Sequence, residues 1–104
     1  MRNALLANVN AVRARLLDGA MDAVVADTGG WGLCEEVCAE LALALDDLDP
    51  EVVYANPADA AWRACYGGAL SGPHWVVRVH QTCIDLTARQ FDPTLPYPYL
   101  FEAP

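Results

Sequence analysis

Lysine is absent from this chain, and its six basic residues, all arginine, face 14 acids for a formal net charge of −8. Phosphate backbones and anionic lipid surfaces repel such a balance, which excludes nucleic-acid binding driven by counterion release and binding to a charged membrane surface. No run of eighteen apolar residues exists, and the N-terminus MRNALLANVNAVRARLL has neither the unbroken apolar stretch nor the small-residue cleavage site of a secretion signal. The expectation is a soluble, cytoplasmic protein. No glutamine precedes Gln81, and beyond Cys34-x3-Cys38 there is no second close cysteine or histidine pair, so neither structural zinc nor another cofactor is expected. Internal repeats, heptads and linkers are also missing.

What is present fits one folded domain over residues 1–104. Hydrophobic residues make up 55% of the sequence and charged residues 19%, a balance that disfavours disorder, and 104 residues suffice for one modest core. Without a secretion signal, Cys34, Cys38, Cys65 and Cys83 read as thiols rather than disulfides.

Along the chain, Leu5, Val9, Val12 and Leu16 recur at helical spacing and predict an amphipathic helix over about 2–18. Three arginines (Arg2, Arg13, Arg15) lie there as a solvated face, and the bend before a second helix at 20–26 is expected at Gly19. The glycine-rich stretch DTGGWGLC opens a third helix, about 34–48. Glu35 and Glu36 suit its first turn, and Cys34, Cys38, Leu41, Leu45 and Leu48 form its apolar face. The acids Asp46, Asp47 and Asp49 make a solvated end. EVVYA (51–55) reads as a strand, and Asn56-Pro57 reads as the N-cap and first position of a short helix reaching Cys65. HWVVRVHQTCIDLTA predicts a hairpin, strands 74–79 and 82–87, turning at His80-Gln81. The tail 93–104, rich in proline and tyrosine, cannot be helical and is expected to lie extended and packed on the domain. The fold class is therefore α+β, with N-terminal helices and one helix packed on a small antiparallel sheet.

A two-residue turn at 80–81 sets the hairpin's register. Val79 then opposes Thr82, Val77 opposes Ile84 and Trp75 opposes Leu86, which makes one apolar face. On the other face Arg78 opposes Cys83, Val76 opposes Asp85 and His74 opposes Thr87, so His74 and Asp85 become diagonal neighbours within hydrogen-bonding reach. A carboxylate that fixes an imidazole's tautomer leaves the other ring nitrogen free to take a proton. Cys34, in the first turn of a helix, faces unpaired N–H groups and the positive dipole end. These favour thiolate and could hold an oxyanion.

Gly32-Leu33-Cys34 before a helix, His74-Trp75 opening a strand, then Ile84-Asp85-Leu86-Thr87 and Gln90-Phe91, resembles the papain/transglutaminase-like cysteine proteins. It is especially similar to small bacterial and phage papain-fold toxin-like domains. The resemblance spans about residues 29–92. It implies Cys34 as nucleophile, His74 as base and Asp85 as its orienting acid, with Trp31, Gly32, Trp75 and Gln90 at the substrate or oxyanion side. It further implies acyl chemistry on a protein or peptide: peptide, isopeptide or amide hydrolysis, deamidation or transamidation.

Plainer readings stand beside these. Cys34 could be a small buried hydrophobe, as Cys38 is expected to be, and Asp85 could cap a turn or pair with Arg78. Trp31 and Trp62 could be packing plugs. Gln90 could bind tail backbone. In a different functional class, an inactive papain-like fold would dock to a partner protein through its acidic surface and tail, and the tail could also mediate homo-oligomerisation.

Overall fold

The computed structural model describes residues 2–30 and 32–104, without the side chains of Arg2 and Asp18. Its elements are α1 (Arg2–Leu16), α2 (Asp18–Thr28), α3 (Cys34–Ala44), β1 (Glu51–Ala55), α4 (Ala60–Cys65), β2 (His74–Val79), β3 (Thr82–Asp85) and β4 (Tyr99–Glu102), with 3-10 turns at Asp46–Leu48 and Ala88–Gln90. The four strands form one antiparallel sheet in the order β1-β2-β3-β4. The protein is thus α+β, and among the described residues no helix is long and apolar enough to cross a membrane.

The hairpin has the expected register, with Val79 opposite Thr82, Arg78 opposite Cys83 and Val77 opposite Ile84. Its turn puts His80, an exposed residue, at φ 54°, and Arg78 Nε donates to the His80 carbonyl at 2.7 Å. β3 ends at Asp85, two residues earlier than the alternation predicts, because Thr87 turns back to hydrogen-bond the Asp85 carboxylate and begins the 3-10 turn.

The period-2 alternation divides the interior into two cores. On one sheet face Val77, Val79, Ile84 and Leu86 meet Leu5, Val9 and Val12 of α1 and Val37, Cys38, Leu41 and Leu45 of α3 and its end. On the other, Val76, Cys83 and Ala55 meet Tyr66, Leu70, Ala88 and Phe101, a second core closed by α4, the 3-10 turn and the tail. Full burial of such side chains stabilises the fold by about 1.5–3 kcal/mol each relative to exposure.

Three local expectations are corrected. The bend between the first two helices falls at Leu17 (φ −103°, ψ 0°), and Gly19 lies inside α2. The corner is held by tertiary contacts: Arg13 Nε lies 2.9 Å from Asp22 Oδ1, an ion pair across the bend at an angle poor for a hydrogen bond, and the Tyr97 hydroxyl donates to the same oxygen at 2.7 Å. At α4 the N-cap is Asp59, which accepts from Ala61 N at 2.9 Å. Asn56 instead accepts from Ala58 N at 3.0 Å, so its side chain shapes the turn that carries Pro57. The tail does more than lie extended: Tyr99–Glu102 pairs with β3 as the fourth strand, with Cys83 opposite Phe101 and Asp85 opposite Tyr99.

Candidate active site

His74 opens β2 and Asp85 closes β3, so the antiparallel pairing brings both to one end of the sheet. Both are buried, at 0% and 1% exposure, and His74 Nε2 lies 2.6 Å from Asp85 Oδ2. The Tyr66 hydroxyl donates to the same Oδ2 at 2.6 Å. Thr87 serves the other oxygen twice, its N–H donating to Oδ1 at 2.8 Å and its hydroxyl at 3.2 Å. A carboxylate, which only accepts, satisfies all of these donors at once, and with Asp85 in that form the His74 proton is assigned to Nε2. Nδ1 is then an acceptor. The Gln90 side-chain nitrogen faces it at 3.5 Å, a long contact that leaves the lone pair weakly engaged.

Aromatic rings fix the imidazole. Phe91 stands edge-on to it at 4.8 Å and Tyr66 at 5.8 Å between ring centres. The carboxylate's charge also reaches further. Burial and then Asp85 push the Cys38 thiol, the Tyr66 phenol and, after the effect of Cys65, the Tyr99 phenol upward. Burial likewise raises Cys83 to about 11, against a lowering by Arg78, with Asp85 adding to the rise.

Cys34 is half-buried at the first position of α3, where the N-cap residue Leu33 supplies no side-chain capping hydrogen bond. α3 packs on the face of the sheet opposite His74, and among the described residues no hydrogen bond joins Cys34 to His74. Two features nevertheless bring the start of α3 to the end of the sheet where His74 and Asp85 sit. One turn after Cys34, Cys38 Sγ donates to the Trp75 carbonyl at 3.1 Å. Ahead of Cys34, the Gly29-Gly30 turn is pressed onto the segment that follows Asp85. A Cβ on Gly29 would sit 1.9 Å from Gln90 N, and one on Gly30 would sit 2.9 Å from Thr87 Cγ2; both residues have positive φ. The Leu33 N–H to Gly30 carbonyl bond of 2.9 Å closes this turn directly before Cys34.

The remaining expected site residues separate. Gln90 joins the site through His74. Trp75 faces away from His74, on the α3 side of the sheet, where it packs against Tyr54 at 5.0 Å. Gly32 has φ 81° and no atom near the place a Cβ would take. Trp31 lies outside the described residues. Trp62 is a plug of the second core, edge-on to Phe101. Tyr66 and Thr87 were not singled out from sequence as site residues. The sequence carries signals for Thr87 alone: the hairpin register sets it opposite His74, and it stands two residues after an acid, a spacing that suits a side-chain-capped turn. Among the described residues no group of three or more His, Cys, Asp or Glu side chains is arranged to hold a metal ion. Comparison with protein-family models, with curated proteins and with solved structures gave no match.

Proposed function

We propose that this chain has a papain/transglutaminase-like core and performs thiol-dependent acyl chemistry on a protein or peptide, with Cys34, His74 and Asp85 as its triad. The observation that carries the reading is the buried His74–Asp85 pair, 2.6 Å between Nε2 and Oδ2. With Asp85 engaging Nε2, the other ring nitrogen, Nδ1, is the one left to take a proton at the sheet end reached by the glycine turn before Cys34. In the reaction the Cys34 thiol proton passes to Nδ1, and the sulfur attacks the carbonyl carbon of an amide. The carbon–sulfur bond forms as the carbonyl π pair moves to oxygen, where the N–H groups of α3's first turn can receive it. The imidazolium, stabilised by Asp85, then gives its proton to the amine nitrogen as the oxyanion pair re-forms the carbonyl and the carbon–nitrogen bond breaks. Water or a second amine, losing a proton to His74, next attacks the thioester, and the carbon–sulfur bond breaks as that proton returns to Cys34.

A second reading rests on burial. His74 and Asp85 are closed to solvent, and two surface cavities, of about 420 and 230 Å³, are lined by other residues around Arg15 and Glu40 and around Leu5 and Val79. This favours an inactive fold of the same type that binds a partner protein.

Limited alkylation separates the two. Burial pushes the Cys38, Cys65 and Cys83 thiols up, which keeps these competitors protonated near neutral pH. With iodoacetamide at pH 7 and peptide mass spectrometry, the triad reading expects Cys34 to be modified first and its rate to drop in His74→Ala. Preferential labelling of Cys65, or a Cys34 rate indifferent to His74→Ala, would favour the binding module.

A further inference from the structure

Asp85 Oδ2 is shared. It accepts from His74 Nε2 and from the Tyr66 hydroxyl, each at 2.6 Å, and Tyr66 is itself fully buried. The phenol reaches this point because α4 ends at Cys65 and Tyr66 adopts a non-helical backbone (φ −113°, ψ 19°) that the glycine pair Gly67-Gly68 continues at positive φ. Its ring is wedged edge-on among His74, Phe91, Tyr99 and Phe101, so it has no room to swing its hydroxyl elsewhere. A plug that only filled the second core would need no hydroxyl, and phenylalanine would serve.

We infer that Tyr66 is a positioning residue of the site, whose hydroxyl holds Asp85 Oδ2 in line with His74 and sets how strongly that oxygen pulls on the imidazole proton. The inference rests on the reading of His74 and Asp85 as the base and its orienting acid. Two donors at one oxygen compete for its electron density, so each bond is weaker than it would be alone. With Tyr66 in place, Oδ2 is therefore a tempered acceptor. It keeps the proton on Nε2 and stabilises the imidazolium without drawing the proton across. Burial and the charge of Asp85 both push the phenol upward, so Tyr66 remains a donor at every pH at which the site would work. The groups around the carboxylate that could compete are Cys38 from α3, Cys83 from β3 and Tyr99 from β4; all are pushed up and stay neutral. Arg89 is turned away, its guanidinium spent on the carbonyls of Leu95 and Ala26.

The test is spectroscopic and does not need a substrate. In full-length protein with ¹⁵N-labelled histidine, the Nε2–H proton of His74 is observed directly, since the ring is closed to water, and is assigned with His80→Gln. Tyr66→Phe removes one donor from Oδ2, strengthens the remaining bond and should move this resonance downfield. Replacing Tyr66 with 3-fluorotyrosine, a more acidic phenol and stronger donor, should move it upfield. Opposite shifts are expected; a purely structural role would not give them. An unmoved resonance in both variants, or movement in the same direction, overturns the inference. Should Tyr66→Phe not fold, the fluorotyrosine protein decides alone, upfield for and unmoved against. Failure of the triad reading is read separately, in the Cys34 alkylation rate of His74→Ala, which does not involve Tyr66.

Discussion

At the residue scale, the donors around Asp85 decide what an asparagine would do there. The Thr87 backbone N–H can only donate, so it requires the amide oxygen at the Oδ1 position and forces the amide nitrogen to Oδ2. His74 and Tyr66 can adapt, because an imidazole nitrogen and a hydroxyl each also accept. Asp85→Asn should therefore fold, with a stability loss of about 1–3 kcal/mol from the weakened buried network. It should move the His74 proton to Nδ1, the side the thiol needs. Nitrogen-15 shifts of the imidazole would show the changed tautomer. Any acyl turnover should fall by roughly four orders of magnitude, the size of the same change in a serine-protease triad. A variant with the native tautomer and undiminished turnover would remove Asp85 from the mechanism.

At the scale of elements, the glycine turn before α3 binds the two halves of the site together, and its glycines are not equivalent to those elsewhere. Gly29 has φ 77°, and a Cβ there would collide with backbone, 1.9 Å from Gln90 N and 2.2 Å from the Arg89 carbonyl carbon. Backbone cannot swing aside as a side chain does, so Gly29→Ala should cost more than about 2 kcal/mol and separate the α3 start from the 88–90 turn. Gly19, within α2 and with open space around it, gives the opposite sign: Gly19→Ala should stabilise by about 0.5–1 kcal/mol through helix propensity. Urea denaturation of both variants checks the pair. Equal effects would mean that the close approach of Gly29 to Gln90 is not maintained in solution.

For the molecule as a whole, the tail is the closing element. Tyr99–Glu102 covers the edge of β3, and Phe101 fills the second core. Tyr97 is clamped by Asp22 through its hydroxyl and by Arg13, whose guanidinium lies 4.6 Å from the ring centre. Arg89 holds the Leu95 carbonyl at 2.8 Å. Deleting residues 95–104 removes a strand and opens both cores, a loss of several kcal/mol, and for a domain this size each costs about 4–8 °C. The melting temperature should fall by more than about 10 °C, with dye binding to exposed apolar surface. A truncated protein with unchanged melting temperature would show that the tail contributes nothing to the fold. A drop in sedimenting mass to a stable monomer would instead make the tail an interface between copies.

What the sequence determined by itself was the part governed by local periodicity and by one short turn. The helix at 34, the strand EVVYA and the hairpin register follow from 3.6-residue and two-residue spacing, and the register alone put His74 beside Asp85. The cap at Asp59 is local as well, its carboxylate accepting from Ala61 N two residues on, and competed with Asn56 for the same role. The bend at Leu17 and the fourth strand, by contrast, depended on tertiary partners, Arg13 with Asp22 and Tyr97, and β3 with the tail. Tyr66 was invisible for the same reason. It lies 19 residues from Asp85, after a helix and before a glycine loop, and no spacing rule links a phenol there to a carboxylate on a strand. Only the folding of α4 and the tail over the second face of the sheet brings them together, since burial leaves the carboxylate dependent on whatever donors the surrounding chain can bring.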